Sequence, residues 1–248
     1  MTDVAPVVRR VADPDALAEL AAKEVAEVAS RAVAERGRFT LALSGGSTPR
    51  RLYGLLADGK APFRERVPWE RTHVFFGDER HVPPDHPESN YGMARETLLT
   101  HVPAASVHRI RGEEPDAAQA ALAYERELRE FFGVRAPDAA PPQIDLVLLG
   151  LGPDGHTASL FPGTEGLEER RRWVVAVFVE KLRTHRITLT FPVLNRAREV
   201  LFLVSGSDKA QALSRVFARE RGEDSPPAAR VRPEAGELIW IVDRAAYP

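Results

Sequence analysis

Cysteine is absent from all 248 residues. That excludes disulfides, thiolate metal sites and a cysteine nucleophile, and it points to the cytosol, where no oxidative folding is needed. Long apolar runs are missing as well. No stretch reaches the roughly 18 uninterrupted apolar residues of a spanning helix, and Met1–Val11 carries Asp3, Arg9 and Arg10 where a signal peptide needs an apolar core. Neither export nor membrane contact is expected. An excess of one charge is also lacking: 34 Lys and Arg face 36 Asp and Glu, a formal net charge of −2, so no global positive field exists to gather nucleic acid. Any anion site must be local.

What is present is enough apolar sequence, 44% of residues, to bury a substantial core, patterned as alternating strands and helices. Asp13-Pro14 reads as an N-cap followed by proline in the first helical turn, and Leu17, Leu20, Ala21, Val25 and Val28 recur on one face until Gly37. Strands are expected at Phe39–Leu43, Thr72–Phe76, Val107–Ile110 and Ile144–Leu149, with helices from Thr48, across Ser89–Leu99 and across Asp116–Phe132. Further strands are expected at Trp173–Val179, Arg186–Phe191, Val200–Val204 and Leu238–Val242, with a helix over about Asp208–Arg219. Polar or proline-rich loops at 137–142 and 221–233 are too short to separate independent units. The fold class is therefore α/β: a single doubly wound, mostly parallel, Rossmann-like sheet with helices on both faces, one domain over residues 1–248. Its ligand crevice should lie at the carboxyl ends of the strands.

Three loops follow such strands. Ser44-Gly45-Gly46-Ser47-Thr48-Pro49 places two glycines between a strand and a helix start, where backbone amides and the hydroxyls of Ser44, Ser47 and Thr48 can cradle a phosphate. It lacks the lysine and spacing of a nucleoside-triphosphate loop. Gly77-Asp-Glu-Arg-His81 reads as a charged loop in which Arg80 is a fork for a carboxylate or phosphate oxygen, with Ser89-Asn-Tyr91 restarting a helix beside it. The third, Gly150-Leu-Gly-Pro-Asp-Gly155, formally matches a dinucleotide fingerprint, with Glu180 at the end of a later strand. Pro153 stiffens that turn, and Phe161-Pro-Gly163 stops the expected helix after about two turns, too short for a dinucleotide crossover. His156, flanked by Asp154, glycines and Thr157 at the expected strand-to-helix junction, makes more sense as a general base.

Taken in order, these segments, together with Gly150-Leu-Gly-Pro-Asp-Gly-His-Thr-Ala-Ser-Leu-Phe-Pro162, Arg186-Ile-Thr-Leu-Thr-Phe-Pro192 and Ser205-Gly-Ser-Asp-Lys209, resemble the 6-phosphogluconolactonases. The resemblance runs from about residue 40 to 213. It implies hydrolysis of 6-phospho-D-glucono-1,5-lactone to 6-phosphogluconate, a step of the oxidative pentose phosphate pathway, on a small sugar phosphate and without metal or organic cofactor. His156 would activate water, Asp78 or Asp154 would orient the imidazole or the sugar, and amides near Gly152 and Gly155 would serve the oxyanion. Ser44–Thr48, Arg80, Arg186 and Lys209 would hold the phosphate, although Arg186 and Lys209 can also be read as surface charges. Glucosamine-6-phosphate deaminases share a similar Asp-Gly-His loop, but place a catalytic glutamate five residues beyond the histidine, where this chain has Phe161. A non-catalytic sugar-phosphate sensor is the rival from another class, and it would have little use for a base at His156. The oligomeric state is left open.

Overall fold

The computed structural model describes residues 6–136, 139–218 and 225–247. The first long helix, α1 (Pro14–Arg36), begins where the Asp13 carboxylate accepts hydrogen bonds from Asp15 and Ala16 N–H at 3.1 and 2.9 Å. It ends at Gly37, whose left-handed backbone lets its N–H donate to Val33 O. Leu17, Ala21, Val25 and Ala32 on its inner face are fully buried.

The central sheet has seven parallel strands in the order β1-β10-β9-β6-β2-β3-β5. They are β1 (Val7–Val11), β2 (Phe39–Leu43), β3 (Thr72–Phe76), β5 (Ser106–Val107), β6 (Leu146–Leu149), β9 (Glu199–Val204) and β10 (Glu237–Asp243). Every residue of β2, β6 and β9 is buried, which is why these strands read as continuous apolar runs. Chain order runs outward from β2 through β3 to β5, then returns to β6 and runs the other way. The reversal point lies between β2 and β6, where an open α/β sheet leaves a crevice at its carboxyl edge. The remaining helices are α2 (Ser47–Ala57), α3 (Phe63–Arg66), α4 (Asn90–Ala94), α5 (Ala117–Phe131), α6 (Phe191–Leu194) and α7 (Ala210–Val216).

The structure departs from the sequence reading in six places, the first being that of the expected strand Val107–Ile110 only Val107 lies in a strand, β5. Trp173–Val179 and Arg186–Phe191 do form strands, β7 (Val174–Val179) and β8 (Thr184–Leu189), but in a separate antiparallel sheet of order β4-β8-β7. The charged stretch after Gly77 supplies its third strand, β4 (Asp78–Arg80). Gly77 is the hinge between the two sheets: its N–H donates to Leu43 O at 2.9 Å and its carbonyl accepts from Leu189 N at 2.8 Å. No helix follows β6, since residues 153–162 form turns closed by a bridge between Thr157 and Leu160. The amino-terminal lead-in is a strand, paired in register with β10. Of the expected helix over 208–219, Ala210–Val216 is helical and Arg219 lies outside the described residues, as do 137–138 and 221–224 of the two expected loops.

Candidate active site

The loop after β2 is shaped from inside the core. Tyr53 on α2 is fully buried, and its hydroxyl accepts from Ser44 N–H at 3.0 Å while donating to Ser44 O at 2.8 Å. Burial pushes its phenol up, out of the titrating range. With the Ser44 backbone thus saturated, its buried Oγ has no partner among the described residues and keeps its hydrogen-bonding capacity free. A Cβ on Gly45 would overlap the Asn90 carboxamide, so only glycine lets this loop meet α4. α2 then starts at Ser47 with no side-chain cap, leaving first-turn amides for an anion.

At the carboxyl end of β6 stands His156, a quarter exposed. Its Nδ1 lies 2.5 Å from Asp154 Oδ1, and the same carboxylate accepts from His156 N–H at 3.1 Å. Asp154 Oδ2 is paired with Lys181, which arrives from the turn between β7 and β8. Burial acts to raise the Asp154 carboxyl, but the hydrogen bonds from His156 and Lys181 together hold it well below the usual carboxylate range. An ionised carboxylate only accepts, so the shared proton sits on Nδ1, and in the neutral form of the ring Nε2 carries the lone pair. Among the described residues Nε2 has no hydrogen-bond partner. The ring is stacked on Phe161 with centroids 4.0 Å apart and 26° between planes, and Lys181 Nζ lies 4.8 Å from the centre of that phenyl ring. The imidazole is thereby held from below and behind, with one nitrogen facing outward. Gly152 permits this, because a Cβ there would overlap the imidazole.

The third element is the β4–β8 ladder. Arg80 on β4 stands directly opposite Arg186 on β8, and neither forms an ion pair among the described residues. Arg80 Nη1 donates to Glu88 O at 2.6 Å and to the Asn90 carboxamide. Arg186 is buried at 8% exposure, and among the described residues its guanidinium makes one hydrogen bond, to the His185 carbonyl at 3.4 Å. Burial, and then the like charge of Arg80, pull its guanidinium below the ordinary arginine value. The two opposed cations form no salt bridge among the described residues, although the charges of Asp78, Glu88 and Glu79 act favourably on Arg186 from a distance, and they present guanidinium donors of the kind that bind anions. Glu79, on the opposite face of β4, is consumed in building the start of α4: it accepts from Asn90 N at 2.7 Å, Tyr91 N at 2.8 Å and Ser89 Oγ at 3.1 Å.

The two carboxylates left open by the sequence separate clearly. Asp154 holds the imidazole. Asp78 is buried and accepts from Ser159 Oγ at 2.6 Å and Asn90 Nδ2 at 3.1 Å, so it ties the His156 loop to the small sheet and to α4. Ser159 N–H adds a bond to Thr188 Oγ1 at 3.2 Å, two residues from Arg186 on β8. The expected oxyanion amides require correction: Gly152 N–H donates to His156 O and Gly155 N–H to Gly152 O, both at 2.9 Å. Each amide has one hydrogen and spends it closing the turn. Lys209 follows β9 on the same edge of the sheet, but its ammonium is paired with neighbouring Asp208 at 2.8 Å, and among the described residues no hydrogen bond or ion pair joins it to the Ser44 loop.

Sequence reasoning passed over Lys181, Asn90, Ser159 and the buried, unpartnered Thr157 Oγ1. Asn90, Thr157 and Ser159 stood inside quoted motifs and could have been found there. Lys181 lies 27 residues from Asp154 in a stretch with no motif, and carried no signal. Among the described residues no cluster of three or more His, Asp or Glu could hold a metal, and no helix is long and apolar enough to cross a membrane.

Comparison with known proteins places the chain in a family. The family model described as glucosamine-6-phosphate isomerases/6-phosphogluconolactonase matches residues 12–240. A curated 6-phosphogluconolactonase of Synechocystis sp. is 45% identical over 245 residues, covering 98% of each chain. The solved 6-phosphogluconolactonase of Trypanosoma cruzi superposes with a TM-score of 0.86 at 33% identity, covering 99% of this chain and 97% of that one. That of Trypanosoma brucei gives 0.87 at 30% identity, with 98% of each chain covered. On a match of this length, carrying the crevice loops of both sheets, the chain belongs to the glucosamine-6-phosphate isomerase/6-phosphogluconolactonase family.

Proposed function

We propose that this chain hydrolyses 6-phospho-D-glucono-1,5-lactone to 6-phospho-D-gluconate with His156 as the general base. The observation that carries the proposal is the His156–Asp154 dyad beside the reversal point of the sheet, with Nδ1 committed to a carboxylate and Nε2 open. Nε2 takes a proton from water as its oxygen bonds to C1, the ring C1–O5 bond breaks, and the proton returns from the imidazolium to O5. A lactone is already an ester, so positioned water, a base and charge stabilisation suffice, with no covalent nucleophile.

The phosphate end falls to the start of α2, Ser44 Oγ, Arg80 and Arg186. Its two negative charges match two arginines that form no salt bridge among the described residues. The bond from Ser159 to Thr188 couples this anion site to the His156 loop, so base and phosphate clamp are fixed relative to each other. Phe161 against the imidazole argues for hydrolysis over isomerisation, because an apolar ring cannot relay protons between sugar carbons. The same proposal treats residues 1–248 as a single sugar-phosphate hydrolase domain acting in the cytosol. Supporting it are site residues drawn from both sheets and a chain without cysteine.

Proton release from the lactone, measured against its spontaneous rate, tests both parts. His156→Ala is expected to lower kcat about 10³-fold, within the range of general-base catalysis. A wild-type protein no faster than background refutes the activity, and an alanine variant with undiminished kcat refutes the role of His156 alone.

A further inference from the structure

A second histidine network lies far from the crevice, at the amino end of β3 and on the edge strand β5. Ser106 on β5 is the register partner of His73 on β3. Its Oγ lies 2.7 Å from His108 Nε2, and His108 Nδ1 lies 2.7 Å from Glu127 Oε1 on α5. Extended backbone turns residues two apart to one face, so Ser106 and His108 meet without a tight turn. The imidazole is locked in place. It stacks on Phe75 at 4.6 Å with 8° between planes and meets Phe131 at 5.0 Å, while His108 N–H donates to Val74 O at 2.8 Å.

The proton positions follow from the partners. Glu127 accepts from Nδ1, so Nε2 offers its lone pair to the Ser106 hydroxyl, and His73 Nδ1 supplies the other contact of that oxygen at 2.8 Å. Acid to Nδ1 and hydroxyl to Nε2 is the connectivity of an activated serine, recognised by geometry and not by order in the chain. His108 and Glu127 line a cavity of about 740 Å³ with Tyr124, Phe131, Arg111 and Arg126; Ser106 is half-buried and is not part of that lining, so the imidazole stands between the serine and the cavity. That is room for a small organic ligand.

We propose that Ser106 is a second nucleophile, accepting the acyl group of small activated carboxylic esters at a site separate from the crevice. Ser106 Oγ bonds to the carbonyl carbon while its proton passes to His108 Nε2. The carbon–oxygen bond to the leaving group breaks, and the alkoxide takes that proton. Water then repeats the sequence on the acyl-serine, releasing the acid and restoring the hydroxyl. The established lactone chemistry needs none of these residues.

A fluorophosphonate probe applied to the full chain, followed by peptide mass spectrometry, decides the matter. Labelling at Ser106 is expected, abolished by Ser106→Ala and His108→Ala and slowed about tenfold by Glu127→Gln. Ser106→Ala keeps the lactonase rate of the wild type, which establishes that its fold is intact. No adduct on Ser106 overturns the proposal. The cysteine-free chain permits a second measurement. In Ser106→Cys the single thiol should react with iodoacetamide at pH 6 about tenfold faster than that of Ser30→Cys, placed on the exposed face of α1. Equal rates overturn the proposal as well.

Discussion

The two strands flanking the reversal point, β2 and β6, are polar at both ends, and the ends differ in how their polar groups are used. At the amino end, Asp145 is 4% exposed and saturated: one oxygen accepts from Thr40 N at 2.8 Å and Thr40 Oγ1 at 2.7 Å, the other from Arg36 at 3.0 Å, with Arg198 at 3.5 Å. At the carboxyl end, among the described residues, Ser44 Oγ and Thr157 Oγ1 are buried without partners, Arg186 forms no salt bridge, and His156 Nε2 has no hydrogen-bond partner. Buried polar groups whose hydrogen bonds are complete hold the strands together, whereas incomplete ones cost stability and persist where a ligand completes them.

That contrast makes substitutions at the two ends fail in different ways. Asp145→Ala strands the Thr40 amide in the core and should cost about 3 kcal/mol in urea unfolding, with kcat per folded molecule unchanged. A loss of kcat without loss of stability would break the distinction. Arg186→Met should do the reverse, lowering kcat/KM roughly a hundredfold, mainly through KM, as expected for a charge-assisted contact. Its midpoint in urea should hold or rise, because a buried cation without a partner is gone; a fall of several kcal/mol would make Arg186 structural.

Lys181→Met sharpens the picture within the carboxyl end. Removing this cation favours protonation of the Asp154–His156 dyad, so the acid limb of the pH–kcat/KM profile should move to higher pH, with a loss of about tenfold at pH 6 and less at pH 8. Lys181→Arg should restore it. A profile of unchanged shape would show that Lys181 does not act through the dyad.

Glu199 is the exception at the amino end and the smallest expected effect. It is 2% exposed, pairs with Arg31 at 2.9 Å through one oxygen, and has the other unpartnered. Burial dominates over Arg31 and raises its carboxyl from 4.5 to about 7. Between those values the folded state keeps a proton that the unfolded state has lost, so stability falls as pH rises from about 4.5 to 7 and is flat above. Glu199→Gln should flatten this slope and gain on the order of 1 kcal/mol at pH 8 relative to pH 5, read from thermal unfolding at the two values. An unaltered slope would assign the pH dependence to other groups.

Much of this was legible in the sequence because it is local. The strand ends at Leu43, Phe76 and Leu149 are where the apolar runs stop, and the Asp13 cap and Gly37 stop of α1 obey short-range backbone rules. The grouping of strands into two sheets was not legible. β7 is as apolar as a central strand, and nothing in the composition of β7 or β8 tells an antiparallel partner from a parallel one. β4 was hidden because three charged residues form a strand only when β8 lies alongside. The expected oxyanion amides failed for a related reason: two glycines announce a tight turn, but not which carbonyls take their hydrogens.

The sequence by itself determined the α/β class, the loops that meet at the carboxyl edge and the choice of His156 as the candidate base, since each depends on residues adjacent in the chain. Only the tertiary structure decided that Asp154 and not Asp78 grips the imidazole, that Lys181 holds Asp154 from 27 residues away, and that Ser159 reaches Asp78 across 81. Hydrogen bonds act over about 3 Å, and which distant atoms come within that range is settled by how the two sheets pack, not by the order of residues along the chain.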